Sequence, residues 1–97
     1  MTIDDFRALV DSGEKYVVKT GAVWCSPCKN LDKTLHNLLE NKPELKGLIY
    51  SVDVDENFEL AQALSISSVP TTFFISGGEY TRKIGVFPEK EILSFFS

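Results

Sequence analysis

The chain is poor in the residues that bind metals or cross-link small folds. Its 97 residues include two cysteines and one histidine. Two cysteines can form only one disulfide within the chain, which excludes a disulfide-rich scaffold. These side chains are also too few for a four-ligand structural zinc site, which would need carboxylates or a second copy of the chain. We therefore expect no bound metal.

Clustered positive charge and long apolar runs are also missing. The chain has 10 Lys and Arg residues against 14 Asp and Glu residues, for a formal net charge of −4. Without a basic cluster, we expect no binding to nucleic acid or to an anionic membrane surface. No apolar stretch approaches the roughly 20 residues that span a bilayer, and charged residues interrupt the N-terminal segment where a secretory signal would be apolar. The sequence thus predicts a soluble, intracellular protein.

The composition is that of an ordinary folded domain. Hydrophobic residues make up 43% of the chain and charged residues 25%, as is typical of globular proteins. A chain of 97 residues is long enough for one domain and too short for two. We expect residues 1–97 to form a single domain.

The two cysteines, Cys25 and Cys28, lie between a β-branched segment and a long helical pattern. If that helix begins at the cysteines, its unpaired N–H groups and positive end stabilise a thiolate on the first of them. Such a thiolate is a good nucleophile, and the second thiol, one turn away, can attack the mixed disulfide that results. An inert structural bridge is disfavoured because so short a loop constrains little chain entropy. The pair therefore predicts dithiol–disulfide exchange.

The hydrophobic pattern predicts eight elements in the order α-β-α-β-α-β-β-α. They are a helix over 2–12, a strand over 16–20, a helix from 28 to 41, a strand over 48–54, a helix over 58–64, strands over 71–75 and 80–84, and a helix that Pro88 opens. Thr2 to Asp5 resembles a capping box, and Gly77-Gly78 indicates a hairpin turn. Strands that alternate with helices predict parallel pairing, with the final hairpin as an antiparallel edge.

Four motifs in this order resemble the thioredoxin family. They are Trp24 to Lys29, Val52 to Asp55, Val69 to Thr71, and Gly85. A Cys-x-x-Cys alone would be a weak signal, but the ordered set, with a proline just before a strand, is specific. The resemblance implies an α/β thioredoxin-like fold, with a mixed, four-stranded sheet and helices on both faces. Because the sequence starts at the first predicted helix, we expect the family's N-terminal edge strand to be missing.

The resemblance also implies a role for each residue of the site. Cys25 would attack a client disulfide, and Cys28 would resolve the mixed disulfide, so that the pair cycles through a redox-active disulfide. Pro70 would be a cis-proline that faces this disulfide, and Val69 would offer backbone hydrogen bonds to an extended client segment. The residues that shape the client-binding surface would be Trp24, Ser26 and Pro27.

The implied activity is that of a cytoplasmic protein-disulfide reductase that needs no bound cofactor, because electrons pass through the dithiol itself. The partners would be client proteins with disulfides and an NADPH-dependent flavoprotein thioredoxin reductase, and we expect a monomer. Two alternatives stay open. One is a glutaredoxin-like thiol transferase coupled to glutathione, although such enzymes usually carry Pro-Tyr between the cysteines. The other is a protein-binding module that uses the surface around Trp24 and Pro70, with redox chemistry incidental.

Several positions depart from the family pattern, among them Gly21, where an aromatic residue is common. The most consequential departure is Lys19, which stands where thioredoxins bury an acidic residue beneath the resolving cysteine. A nearby cation favours the thiolate, and a stabilised thiolate makes the disulfide a stronger oxidant. We therefore predict Lys19 and Lys29 as modulators of the thiol pKa, and a couple less reducing than that of an ordinary thioredoxin. Alternatively, Lys19 extends to solvent without effect.

Overall fold

The computed structural model describes residues 1–97, and the predicted order of helices and strands is confirmed. The elements are α1 (Ile3–Asp11), β1 (Tyr16–Gly21), α2 (Ser26–Asn41), β2 (Ile49–Asp53), α3 (Phe58–Ala63), β3 (Thr71–Ser76), β4 (Glu79–Ile84) and α4 (Glu89–Phe96). A short 3-10 helix at Pro43–Leu45, which the hydrophobic pattern does not predict, joins α2 to β2. The predicted hairpin turn is confirmed, since Gly77 and Gly78 both have positive φ angles, of 61° and 82°.

The sheet is mixed and has four strands in the order β2-β1-β3-β4. β1 and β2 pair in parallel, as predicted, but β3 runs antiparallel to β1, so the predicted parallel pairing is wrong for this strand. The cause is the short connection: α3 has six residues and rises only about 9 Å, whereas strands of this length span about 17–20 Å. The chain does not return to the amino end of β1. Instead β3 starts beside its carboxyl end, with Thr71 opposite Thr20.

Helices cover both faces of the sheet, as predicted, and each face has its own core. On one face α1 and α3 pack against alternate residues of the strands, around Phe6, Val18 and Phe73. On the other face α2 and α4 pack around Leu31, Leu38, Phe87 and Ile92. Because successive side chains of a strand point to opposite faces, Val18 of β1 faces α1 and Lys19 faces α2.

The predicted capping box at the start of α1 is confirmed. The Thr2 side chain accepts a hydrogen bond from the Asp5 N–H at 3.1 Å, and the Asp5 carboxylate accepts one from the Thr2 N–H at 3.0 Å. The hydrogen bond from the Thr2 backbone N–H is the main cause that holds the pKa of the Asp5 carboxyl below its usual range, and the Thr2 side chain is the second cause. The two reciprocal bonds of the capping box pair the N–H groups of Thr2 and Asp5, which the start of a helix would otherwise leave unpaired.

We predict that Asp5→Asn lowers the melting temperature at neutral pH and that the difference from the native chain shrinks in acid. A carboxylate with a depressed pKa stabilises the folded state above its unfolded pKa, and this contribution is lost as the pH falls through the folded pKa. The measurement is thermal unfolding from neutral pH to about pH 2, with Asp4→Asn as a control for charge loss in the same turn. A difference that stays constant with pH would contradict this role of the carboxylate.

Candidate functional site

The first cysteine sits at the start of α2. Cys25 is the N-cap residue, with an extended backbone, and its sulfur accepts a hydrogen bond from the Cys28 N–H at 3.2 Å. Pro27 lies in the first turn of the helix. Its lack of an N–H costs no hydrogen bond there, because N–H groups of the first turn have no partner within the helix. An N–H donor and the positive end of the helix thus both face the Cys25 sulfur, and this arrangement favours a thiolate when the cysteine is reduced.

The two cysteines form a disulfide, with their Cα atoms 5.3 Å apart. Both cysteines are buried, with Cys25 5% exposed and Cys28 1% exposed, so Cys25 is the more accessible residue of the two. The pair packs against Ala22, Val54 and Val69, which keep bulk water away from Cys28. An incoming disulfide can therefore approach Cys25, while Cys28 is accessible only from within the protein.

The loop before β3 lies against the disulfide. The Val69–Pro70 peptide bond is cis, and the Val69 carbonyl oxygen is 3.7 Å from the Cys25 sulfur. Two hydrogen bonds hold this loop: the Gly85 N–H donates to the Pro70 carbonyl at 2.9 Å, and the Thr71 hydroxyl donates to the carbonyl three residues earlier at 2.7 Å. The loop is thereby fixed to β3 and to the end of β4, and Val69 and Pro70 border the site.

Trp24 borders the site and lies on the surface. It is 67% exposed, and its indole N–H donates to the Asp55 carboxylate at 2.9 Å. With Val54, Phe58 and Val69 it lines an open cleft of about 420 Å³, which we call the Trp24 cleft. Phe58 is 63% exposed. It is not among the site residues predicted from the sequence, because a phenylalanine in α3 is expected to belong to the apolar face of that helix. Ser26 and Pro27 are exposed beside the disulfide.

Lys19 is buried beneath the site. The residue is 3% exposed, so the alternative in which it extends to solvent is wrong. Its Nζ donates to the Asp32 carboxylate at 2.5 Å, and the Asp32 side chain, on α2, is 51% exposed. Burying an ammonium group costs several kcal/mol unless a partner offsets the loss of hydration. Asp32 supplies that partner.

Gly21 leaves the space in which the Lys19 ammonium lies close to Cys28. A Cβ atom at Gly21 would be 2.8 Å from Lys19 Nζ and 3.1 Å from Cys28 Sγ. The two atoms therefore lie no farther apart than the sum of these distances, a gap that a direct contact or a single water molecule spans. Any side chain at this position would begin in the same space.

A second cleft, of about 300 Å³, opens onto the buried pair, and we call it the Lys19 cleft. Lys19 and Asp32 line it together with Lys29, Ser51 and Asp53. Lys29 is exposed at this cleft and forms no salt bridge. Asp32 is not among the residues predicted from the sequence, although its position four residues after Cys28 places both on the same side of a helix.

Comparison with known proteins identifies relatives over nearly the whole chain. The thioredoxin family model matches residues 1–97. Thioredoxin-2 of Saccharomyces cerevisiae is 36% identical over 86 residues, which cover 87% of this chain and 81% of the yeast protein. The mitochondrial thioredoxin-3 of the same yeast is 29% identical over 82 residues, which cover 84% of this chain and 63% of that protein. The structure of Fasciola hepatica thioredoxin matches with a TM-score of 0.77 at 32% identity, over 98% of this chain and 91% of the other.

We predict that the two members of the buried ion pair contribute very differently to stability. Asp32→Ala should destabilise the protein by about 3 kcal/mol, because it leaves a buried ammonium without its partner. Lys19→Met should be neutral or stabilising, because an apolar side chain of similar size replaces the ammonium and the half-exposed Asp32 stays hydrated.

The measurement is guanidinium unfolding of the oxidised protein, with the double variant completing a double-mutant cycle. The double variant should be close to Lys19→Met in stability. Glu40→Ala, which removes an exposed carboxylate from the same helix, is the control. Equal stability of Asp32→Ala and the native chain would show that Asp32 does not hold the ammonium.

Proposed function

The chain belongs to the thioredoxin family, and from this premise we propose that Cys25 attacks the client disulfide and Cys28 resolves the intermediate. Family membership and the Cys25–Cys28 pair make the protein a dithiol–disulfide oxidoreductase that reduces the disulfides of client proteins. The observation that supports the assignment of the two roles is the position of Cys25. It caps α2, accepts the Cys28 N–H and is the more accessible of the two cysteines.

The proposed cycle has two exchange steps. The Cys25 thiolate attacks one sulfur of the client disulfide, and the other client sulfur leaves as a thiolate that takes a proton from water. Cys28 then loses its proton and attacks the Cys25 sulfur. The Cys25–Cys28 bond forms, the bond to the client breaks, and the second client sulfur leaves as a thiolate that is protonated in turn. The client gains two electrons and the dithiol loses two.

We propose that the client binds across Val69 and Trp24. The backbone N–H and C=O groups of Val69 make no hydrogen bond to other backbone groups, and the residue lies beside Cys25. An extended client segment can pair with these free groups without a particular sequence of its own. Pro70 presents no N–H toward the sulfur atoms. Trp24, Ser26 and Pro27 are exposed around the disulfide and would shape the rest of the contact surface.

We also propose the setting in which the protein works. No helix of the protein has both the length and the apolar character needed to cross a bilayer. A dithiol that reduces clients must itself be returned to the reduced state, and a reducing compartment such as the cytoplasm favours this return. We propose a flavoprotein thioredoxin reductase as the reductant, with residues 1–97 acting as one monomeric domain. Because one yeast relative is mitochondrial, the mitochondrion is the alternative compartment to compare with the cytoplasm.

We predict that Cys25→Ser abolishes client reduction and that Cys28→Ser traps clients as mixed disulfides. Without Cys25 no nucleophile attacks, and without Cys28 the intermediate has no internal thiol to break it. The measurements are turnover of insulin disulfides with a thioredoxin reductase and NADPH, and non-reducing electrophoresis of the trapped species. Trapping by Cys25→Ser instead would reverse the two roles. Turnover with glutathione and glutathione reductase, but not with thioredoxin reductase, would favour the glutaredoxin-like alternative.

We predict that Lys19→Met lowers the reduction potential of the Cys25–Cys28 couple and that Asp32→Asn raises it. The ammonium stabilises the reduced thiolate form, and the carboxylate offsets part of that effect. A shift on the order of 30 mV corresponds to a tenfold change in the equilibrium constant. The measurement is equilibration with glutathione redox buffers, with Lys33→Met as a control for loss of an exposed cation on α2. Identical potentials for all four proteins would show that Lys19 does not influence the thiols.

A further inference from the structure

The resolving step needs a proton acceptor that the family's usual strand position does not supply here. Cys28 is 1% exposed, so its thiol proton has no direct route to bulk water. The β1 residue beneath it is Lys19, which is an ammonium group and has no free lone pair. The carboxylate that the structure does bring near is Asp32, which belongs to α2 and follows Cys28 by four residues.

We propose that Lys19 and Asp32 form a proton relay that takes the thiol proton of Cys28 and releases it to solvent through the Lys19 cleft. This inference rests on the proposed resolving role of Cys28. The pair inverts the arrangement that the family resemblance implies, since the strand supplies the cation and the active-site helix supplies the carboxylate. In this relay Asp32 is the proton acceptor, and Lys19 is the positioning residue that holds the carboxylate and stabilises the Cys28 thiolate.

The geometry brings Cys28, Lys19 and Asp32 close together beside one cleft. A Cβ atom at Gly21 would lie 3.1 Å from Cys28 Sγ and 2.8 Å from Lys19 Nζ. The sulfur and the ammonium nitrogen are therefore separated by no more than the sum of these two distances. From Lys19 to Asp32 the separation is 2.5 Å, a direct hydrogen bond between charged groups. From Asp32 to water the route is open, because its side chain is 51% exposed.

The surroundings of the pair contain few other groups that could take the proton. On β1's neighbouring strands the residues opposite Lys19 are Ser51 and Thr72, which are uncharged. The remaining charged groups of the Lys19 cleft are Lys29 of α2 and Asp53 of β2. The Oδ1 atom of Asp53 accepts two backbone hydrogen bonds from the turn that follows it, at 2.8 and 3.3 Å, and Asp53 forms no ion pair with Lys19. Asp32 is the one carboxylate bonded to the Lys19 ammonium.

The relay moves one proton during the second exchange step, and charge is conserved at each stage. The Cys28 thiol gives its proton to the Asp32 carboxylate through a water molecule in the cleft, and Lys19 remains an ammonium group throughout. The Cys28 thiolate attacks the Cys25 sulfur, and the client thiolate leaves and takes a proton from water. The Asp32 carboxyl then releases its proton to water in the cleft. Electrons move only between the sulfur atoms.

A relay and a purely electrostatic pair make opposite predictions for one variant. If Lys19 acts only by its charge, Asp32→Asn leaves the cation uncompensated, lowers the pKa of the Cys28 thiol and speeds resolution at neutral pH. If Asp32 receives the proton, the same variant removes the acceptor and slows resolution. The equilibrium potential rises in both cases, so only the rate distinguishes them.

The test is a stopped-flow reaction of the reduced protein with the chromogenic disulfide 5,5′-dithiobis(2-nitrobenzoic acid). Attack by Cys25 releases one coloured thiolate, and resolution by Cys28 releases the second, so one trace reports both steps. Cys28→Ser should show only the first release, and failure of this control would overturn the proposed roles of the cysteines and not the relay alone.

For Asp32→Asn we expect an unchanged first phase and a second phase slowed at least about tenfold at neutral pH. Added formate or imidazole, which can enter the open cleft, should restore the second phase in this variant and not in the native chain. Asp32→Glu should retain most of the rate, and Glu40→Gln is the matched control on the same helix. A second phase as fast as, or faster than, that of the native chain would overturn the relay.

Gly21→Ala tests the same route without removing any charge. The added Cβ would lie 2.8 Å from Lys19 Nζ, and the flexible end of the lysine side chain can move aside. We expect the second phase to slow and its pH profile to shift to higher pH, with the first phase unchanged. If Gly21→Ala leaves the second phase unaffected, and buffer bases do not restore Asp32→Asn, the pair has a structural role only and the relay is wrong.

Discussion

The structure depends on the burial of β1, which pairs with β2 on one side and with β3 on the other and is covered by helices on both faces. Val17, Val18 and Thr20 of this strand are fully buried. A side chain in such a strand must be apolar or must find a polar partner, because an unpaired polar group there costs free energy. The strand runs directly into the loop that ends at Cys25, so its position in the sheet also decides where α2 begins and where the disulfide lies.

Lys19 is the charged residue of β1, and the residues around it compensate for its burial. Asp32 provides the opposite charge from α2, and Gly21 leaves room for the ammonium beside Cys28. These three positions form one physical unit, because a larger residue at Gly21 would displace the cation and a neutral residue at position 32 would leave it unpaired. A buried ion pair is weak evidence for stability. Its position next to Cys28 fits the proposed chemical role better than a structural one.

Much of the fold followed from local patterns. The capping box, the helix after the cysteines and the Gly77-Gly78 hairpin each depend on the backbone preferences of a few neighbouring residues, and each was predicted correctly. The direction of β3 was not, because it depends on how far α3 carries the chain back along the sheet. Lys19 was singled out from the sequence, but its partner was not, because the contact joins residues on two different elements.

The sequence by itself determined the class of chemistry and the order of the elements, since two cysteines at a helix start and a proline before a strand carry that information locally. Only the tertiary structure decided that Trp24 is exposed while Lys19 is buried, and that Asp32 meets the ammonium. The physical reason is that burial and ion pairing depend on which elements pack together. Packing is set by contacts between residues far apart in the chain, which a one-dimensional pattern does not encode.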